Sequence, residues 1–348
     1  MKILELFAGI GACSKALTNL GIEHEIVDAV EIDKYAIKSF NAIHGTNFEP
    51  QDITKWDKNV ECDLIMHGSP CQDFSIAGKQ QGGDEGSGTR SSLLYETIRI
   101  VAKLKPKYVI WENVKNVISK KHRHNFDNYL EQMENLGYTN YYQVLNAKDY
   151  GIPQNRERVF TISILGEHNL FIFPPKQELT LRLKDILEDE VDEKYYLSNK
   201  MIDYVLASGT KTFYYKPGID LEIARPLNAT MVKMHRSGID NYVSDKCIQI
   251  GNIPKEVLND NERQRRIYSV DGLSTTILGR TDNCKIENNL RIRKLTPKEC
   301  WRLMGFDDTD FDKSQKVNSN TQLYKQAGNS IVVNVLMAIL KSLLEREE

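Results

Sequence analysis

The chain has 348 residues, with 46 Lys+Arg against 48 Asp+Glu, a formal net charge of −2, 41% hydrophobic and 27% charged residues. This length and mixture exclude a disordered chain, a collagen-like fibre and a coiled-coil rod, and leave one large domain or two of ordinary size. No apolar run is read as approaching the ~20 residues of a membrane span, and the near-neutral balance means that any contact with nucleic acid must rest on a local basic cleft.

The apolar N-terminus MKILELFAGIGA is interrupted by Glu5, so it reads as a strand and glycine turn rather than a signal peptide. Six cysteines without paired spacing form no disulfide framework, and a reducing cytoplasm is expected. Along the first 165 or so residues, Ile3–Phe7, Glu25–Val30, Leu64–His67, Tyr108–Trp111 and Val159–Ile164 read as buried strands. Between them Cys13–Leu20, Lys34–Ile43, Ser92–Leu104 and Asn125–Leu136 carry the three-and-four apolar spacing of helices. The alternation predicts an α/β fold: a doubly wound, mostly parallel sheet with helices on both faces. Asp52 is expected near the end of a third strand.

Gln80–Gly88 reads as a glycine-rich loop and a candidate lid. The alternation stops near Phe173-Pro174-Pro175, and from Lys176 to about Leu290 short mixed runs suggest a smaller, irregular α+β domain. Thr296–Met304 follows as a helix with Thr296 as N-cap, and Asn329–Leu344 as an amphipathic helix opened by Gly328-Asn329-Ser330. The expected organisation is residues 1–175 plus 325–348 as a first domain, 176–290 as a second, and 291–324 as a connection.

Phe7-Ala8-Gly9-Ile10-Gly11 lies where glycines let a ligand approach the backbone and a helix N-terminus. The third glycine of the dinucleotide fingerprint is missing, so alone it reads equally as a tight turn. Glu31 at the next strand end can accept hydrogen bonds from ribose hydroxyls, and with Asp52 it favours an adenosine-containing cofactor. Cys71, in the Gly/Pro-rich loop Gly68-Ser69-Pro70-Cys71-Gln72, sits beyond a strand end rather than in an apolar run, so it is a candidate nucleophile. The other five cysteines read as buried filler. Glu112 ends the strand Tyr108–Trp111 and can face the same cleft. Arg156 and Arg158, two apart before a strand, are expected to project to one side and to suit an anion or a carbonyl oxygen. Read singly, each of these charges could be no more than a solvated side chain.

Taken together, Glu5–Gly11, Glu31-Ile32-Asp33, Gln51-Asp52-Ile53, Gly68–Ser75, Glu112-Asn113-Val114, Gln154–Arg158, Arg293–Cys300 and Gln326–Ser330 carry a resemblance. The sequence resembles the DNA (cytosine-5) methyltransferases of the compact bacterial or phage kind, over nearly its whole length. The resemblance implies transfer of a methyl group from S-adenosylmethionine to C5 of cytosine in duplex DNA, without a metal, on a flipped-out base. It makes Cys71 the nucleophile at C6, Glu112 the partner of N3 and the exocyclic amine, Arg158 the ligand of O2, and Arg156 a support beside the thiol. It puts Phe7, Gly9, Gly11, Glu31, Asp52, Ile53, Pro70, Leu93, Asn329 and Ser330 around the cofactor. Ser69 stands where Pro or Phe is more usual, and Ile32 where some members carry a large aromatic.

The segment 176–290 corresponds to the family's variable target-recognition domain. Ser75, Thr276, Arg225, Arg236, Arg265 and Arg280 are its implied DNA contacts or those of the neighbouring loops. The expected partner is double-stranded DNA, with a restriction endonuclease, if any, as a separate chain; no membrane is expected, and the chain is expected to act as a monomer. Methylation of tRNA is the nearest alternative, but the Cys-Phe-Thr signature of that relative is not found. A catalytically silent homologue fits poorly with Cys71, Glu112, Arg156 and Arg158 all present. A nicotinamide oxidoreductase leaves Pro70-Cys71-Gln72 unexplained.

Overall fold

The structure, a computed structural model, describes residues 1–69, 93–206, 209–210, 213–214, 217–231, 240–245, 249–252, 266–268 and 291–345. It divides into two compact units: residues 1–186, 222–234 and 297–348 form the first, and 187–221 and 235–296 the second.

The first unit opens as the apolar runs predict, with β1 (Lys2–Leu6), α1 (Ala12–Asn19), β2 (Glu25–Val30), α2 (Lys34–His44) and β3 (Leu64–His67). It continues with α3 (Leu94–Leu104), β4 (Tyr108–Val114), α4 (Arg123–Asn135), β5 (Tyr138–Asn146) and β6 (Glu157–Leu165). Local signals set the ends. In α2 the Asp33 carboxylate accepts from the Tyr35 amide at 2.9 Å, and Gly45 closes the helix at φ 69°.

Among the described residues the central sheet has six strands in the order β2-β1-β3-β4-β6-β5. Four of them run parallel, and β6 pairs antiparallel with both β4 and β5. Leu4 and Leu6 join the apolar cluster with Leu94, Ile98, Phe126 and Tyr129 of α3 and α4. Glu5, between them, hydrogen-bonds Ser14 of α1. Since neighbouring strand residues face opposite ways, helices cover both faces of the sheet.

One strand escaped the sequence pattern, and two expectations are corrected. β5 (YTNYYQVLN) alternates no apolar face and packs only in part, so the pattern hid it. No strand ends at Asp52: its carboxylate caps a short 3-10 turn, Ile53–Lys55, by accepting from the Thr54 amide at 3.0 Å. Gly328-Asn329 closes a helix instead of opening one.

In the second unit α5 (Asn199–Leu206) packs Val205 against Tyr242 and Ile292. Its strands form two-stranded antiparallel pairs: β7 (Gly209–Thr210) with β8 (Phe213–Tyr214), β9 (Tyr242–Asp245) with β12 (Arg291–Lys294), and β10 (Gln249–Asn252) with β11 (Arg266–Tyr268).

The chain then returns to the first unit through α6 (Pro297–Arg302), α7 (Asp308–Gln315), α8 (Asn320–Asn329) and α9 (Val333–Leu344). Residues 297–324 are therefore not a free connection, because Trp301, Leu303, Met304, Phe306, Leu323 and Tyr324 are all buried. The stretch Asn320–Leu344 does reach the length and hydropathy of a membrane span. It is two helices separated by Ser330–Val332, and Leu336, Ile339, Leu340 and Leu343 are buried in the first unit.

Candidate active site

At the end of β1 the chain turns through left-handed backbone at Phe7 (φ 53°), Gly9 (φ 57°) and Gly11 (φ 80°). At Gly11 a Cβ would fall 2.1 Å from the His44 ring, so the turn accepts no side chain there. Gly11 caps α1 by backbone alone. The helix is capped instead from the sheet, because the buried Glu5 carboxylate accepts from the Ser14 amide at 3.0 Å and from the Ser14 hydroxyl. Burial pushes the Glu5 carboxyl up to about 7, against those hydrogen bonds.

Glu31, just past β2, is fixed by two backbone donors: Gly9 at 3.1 Å to one oxygen and Asp33 at 2.8 Å to the other. Burial raises its pKa and the two amides oppose the rise. Ile32 beside it is 71% exposed. Asp52 stays half-exposed with its pKa lowered by Thr54, and Ile53 is buried behind it. Arg99 donates to the carbonyls of Ile53 (3.0 Å) and Trp56 (2.9 Å), which fixes this turn. Phe7 and Leu93 are partly buried against the same apolar cluster.

A second group of residues gathers at the ends of β3 and β4. Trp111 Nε1 donates to Ser69 Oγ at 3.0 Å, and Asn113 Nδ2 reaches the Ser69 carbonyl at 3.4 Å. Glu112 pairs with Arg158 of β6, Nε to Oε1, at 3.0 Å. Burial raises the Glu112 pKa, while the charges of Arg158 and Arg156 and the hydrogen bond from Arg158 lower it. The carboxyl is thus poised to hold or release a proton, with a cation alongside to stabilise negative charge.

Arg156 is not aimed where the two-residue spacing suggested. β6 begins at Glu157, so the strand rule does not reach Arg156, which turns into the interior. Its guanidinium donates to the carbonyls of Leu227 (2.9 Å), Gly328 (3.2 Å) and Ser330 (2.9 Å). Gln154 helps it, accepting from the Leu227 amide at 3.0 Å and donating to the Leu303 carbonyl at 2.8 Å. Together they bolt residues 222–231 to the rest of the first unit. Gly328 permits the close approach: a Cβ there would lie 2.3 Å from the Asn228 carbonyl carbon. Ser330 is buried in this turn and Asn329 is exposed at its edge.

Arg225 lies half-buried in the same segment, beside Ala224, whose backbone exchanges hydrogen bonds with Pro153 and Asn155. Pro70, Cys71, Ser75, Arg236, Arg265, Thr276 and Arg280, and the loop 80–88, lie outside the described residues. Cys13, Cys62 and Cys300 are buried thiols, and burial pushes Cys62 up to about 11. The sequence reading passed over Glu5 as a remote helix cap and Trp111 as a hydrogen-bond donor. A carboxylate inside an otherwise apolar strand was the available signal for Glu5.

The model of the C-5 cytosine-specific DNA methylases matches residues 1–345. The chain belongs to that family, and it is a DNA (cytosine-5) methyltransferase. It is 34% identical to the type II methyltransferase M2.ScrFI of Lactococcus lactis subsp. cremoris, over 100% of both chains. To the type II methyltransferase M.HhaI of Haemophilus parahaemolyticus it is 33% identical, over 97% of this chain and 93% of the relative. Among solved structures, S. pombe Dnmt2 shares the fold at a TM-score of 0.67 and 19% identity, over 99% of this chain and 98% of that one.

Proposed function

We propose that Cys71, Glu112 and Arg158 carry the methylation of cytosine C5 in duplex DNA, and that the turns at Phe7–Gly11, Glu31–Asp33 and Gly328–Ser330 hold S-adenosylmethionine. The Glu112–Arg158 pair carries this reading, because it sets a buried carboxyl of raised proton affinity and a partly exposed cation 3.0 Å apart. The residues at the turns fit the cofactor. Glu31 is oriented by two amides and sits next to the left-handed backbone at Gly9, as a ribose ligand needs. Phe7 and Leu93 supply apolar surface, Asp52 and the Ile53 amide supply polar groups for the adenine edge, and Pro70, Gly11, Asn329 and Ser330 complete the wall. S-adenosylmethionine, when bound, supplies the electrophilic methyl group.

C5 of cytosine is a poor nucleophile. The Cys71 thiolate attacks C6, forming a carbon–sulfur bond and moving the ring's electron pair toward C5. Glu112 holds the proton shared with N3 as the ring loses aromaticity, and Arg158 stabilises charge growing at O2. After methylation a solvent base takes the C5 proton, the C–H electron pair reforms the C5–C6 double bond, and the C6–S pair leaves with the Cys71 thiolate. The base must be out of the stack, at a cost of roughly a few kcal/mol.

Base reading is assigned to the second unit and the segments around it, with Arg225, Arg236, Arg265, Thr276 and Arg280 as contacts and Ser75 from the loop after Cys71. A role beside a separately encoded restriction endonuclease is supported by the type II names of relatives, and a solitary role by orphan methyltransferases such as M.SPRI of Bacillus phage SPR, 30% identical over 99% of this chain and 97% of the relative. The chain is assigned to the cytoplasm as a monomer that needs no metal. Bisulfite sequencing of DNA incubated with the protein and S-adenosylmethionine tests the reading. Protection of cytosines within one recurring sequence, lost in Cys71→Ala, is expected. Protection by the Cys71→Ala protein would overturn the assignment of the thiol.

A further inference from the structure

We propose that Ser69 is a positioning residue for methyl transfer, held by Trp111 so that the chain leaves β3 toward Cys71 at a fixed place relative to Glu112. This rests on Cys71 as the nucleophile. The ladder between β3 and β4 ends at the pair His67↔Trp111, so Gly68 and Ser69 have no strand partner to fix them. Side chains of β4 do so instead. Trp111 Nε1 donates to Ser69 Oγ at 3.0 Å, and Asn113 Nδ2 adds contacts of 3.4 Å to the carbonyl and 3.5 Å to the hydroxyl. All three residues are buried.

The anchor cannot yield easily. The Trp111 ring stacks on His67 at 5.9 Å and 4°, and packs on Tyr129 at 4.3 Å and on Phe126 at 5.6 Å. Glu112 follows Trp111 directly. Gly68 lies close enough to Glu112 that a Cβ on it would be 3.7 Å from Oε2. Ser69 and Cys71 are two residues apart, so their Cα atoms lie within about 7–8 Å of each other. One indole therefore ties Ser69, two residues before the thiol, to the strand that carries the carboxyl. Removing the Ser69 hydroxyl leaves a buried indole N–H without its acceptor, and the arm relaxes. Reactions that depend on near-attack geometry lose up to ~10²-fold for a displacement of about 1 Å.

The test uses the full chain and a duplex carrying 5-fluorocytosine at the cytosine that bisulfite sequencing identifies. Fluorine cannot leave C5 as a proton does, so the thiol adduct accumulates and its rate of formation is measured at saturating DNA and S-adenosylmethionine. Ser69→Ala is expected to slow adduct formation roughly tenfold or more, with cofactor affinity within about twofold of the parent. A merely structural role would lower melting temperature without this split. Ser69→Thr, which keeps the hydroxyl, restores the rate. The double variant Ser69→Ala/Trp111→Phe is no slower than the slower single variant, because both remove one hydrogen bond. Parent-like trapping by Ser69→Ala, or losses that multiply in the double variant, overturns the proposal. Cys71→Ala keeps the two questions apart: if it traps, the assignment of the thiol fails, whereas its silence beside a parent-like Ser69→Ala defeats only the role of Ser69.

Discussion

Gly328→Ala sets two effects of known sign against each other. Gly328 lies in the last turn of α8 without a positive φ, so helix propensity alone favours alanine by about 1 kcal/mol. Against this, the added Cβ would sit 2.3 Å from the Asn228 carbonyl carbon, 2.4 Å from the Ala229 nitrogen and 2.6 Å from the Asn228 oxygen. These are backbone atoms and cannot rotate away. Restoring ordinary contact means withdrawing the backbone around Asn228 and Ala229 or the turn 328–330 by about 1 Å, and overpacking of this kind costs about 1–3 kcal/mol. Arg156 bridges the two, with Leu227 O at 2.9 Å on one side and Gly328 O and Ser330 O at 3.2 and 2.9 Å on the other. It cannot follow both, and losing one hydrogen bond from a charged donor costs about 1.5–3 kcal/mol more. The net expectation is destabilisation of about 2–4 kcal/mol, a fall in melting temperature of roughly 3–5 °C for a chain of this length. Thermal and urea denaturation read this directly, and calorimetry should show weaker S-adenosylmethionine binding because Ser330 shifts. A variant as stable as the parent, or more stable, would show that propensity wins and that the close approach is not built into the fold.

Glu112→Gln should abolish turnover while leaving S-adenosylmethionine affinity within a few-fold of the parent, and Glu31→Ala should do the reverse at subsaturating cofactor, weakening binding at least tenfold. Calorimetry and single-turnover rates separate the two, and equal losses in both measurements for Glu112→Gln would remove it from the chemistry. Stability should also fall between about pH 4.5 and pH 7 through Glu5. Its carboxyl is raised to about 7 when folded, so over this window the native state binds more protons than the unfolded one. The protonated form's contribution is present below 4.5 and is lost as pH rises through 7, by at most about 3 kcal/mol. Urea midpoints of Glu5→Gln across this range should be flatter than those of the parent; an unchanged slope would mean that Glu5 is not the titrating group.

How much of this was legible in the sequence depended on whether the determinant was local. β2 and β3 have the limits that their β-branched and apolar runs predict, and β3, buried along its whole length, shows the continuous apolar run of a covered strand. β5 did not, because Thr139, Asn140 and Gln143 interrupt its apolar residues along a half-solvated strand. Nor does periodicity say that β6 runs antiparallel to β4, since strand direction is set by the connection rather than by the pattern of side chains. Glu112 and Arg158 were each legible as a charge beside a strand, but not as partners, and the fold brings them to 3.0 Å. Arg156 was read by the same two-residue rule and came out differently, because the rule holds only inside a strand and β6 starts one residue later.

The contrast between the two arginines shows how the site is built. Arg158 meets a carboxylate whose proton affinity is raised by burial, and each moderates the other: the carboxylate gives the cation a partner, while the charge of the cation opposes the rise in the carboxyl's pKa. Arg156 meets three carbonyl oxygens from two distant stretches of chain, and a planar guanidinium with five donors is the one side chain that can serve all three at once. Lysine at 156 would keep the charge and lose the simultaneous geometry, whereas lysine at 158 would keep the ion pair in weaker form. The two positions, identical in residue type and two apart in sequence, are therefore expected to differ in what a conservative change costs them: fold stability at 156, chemistry at 158.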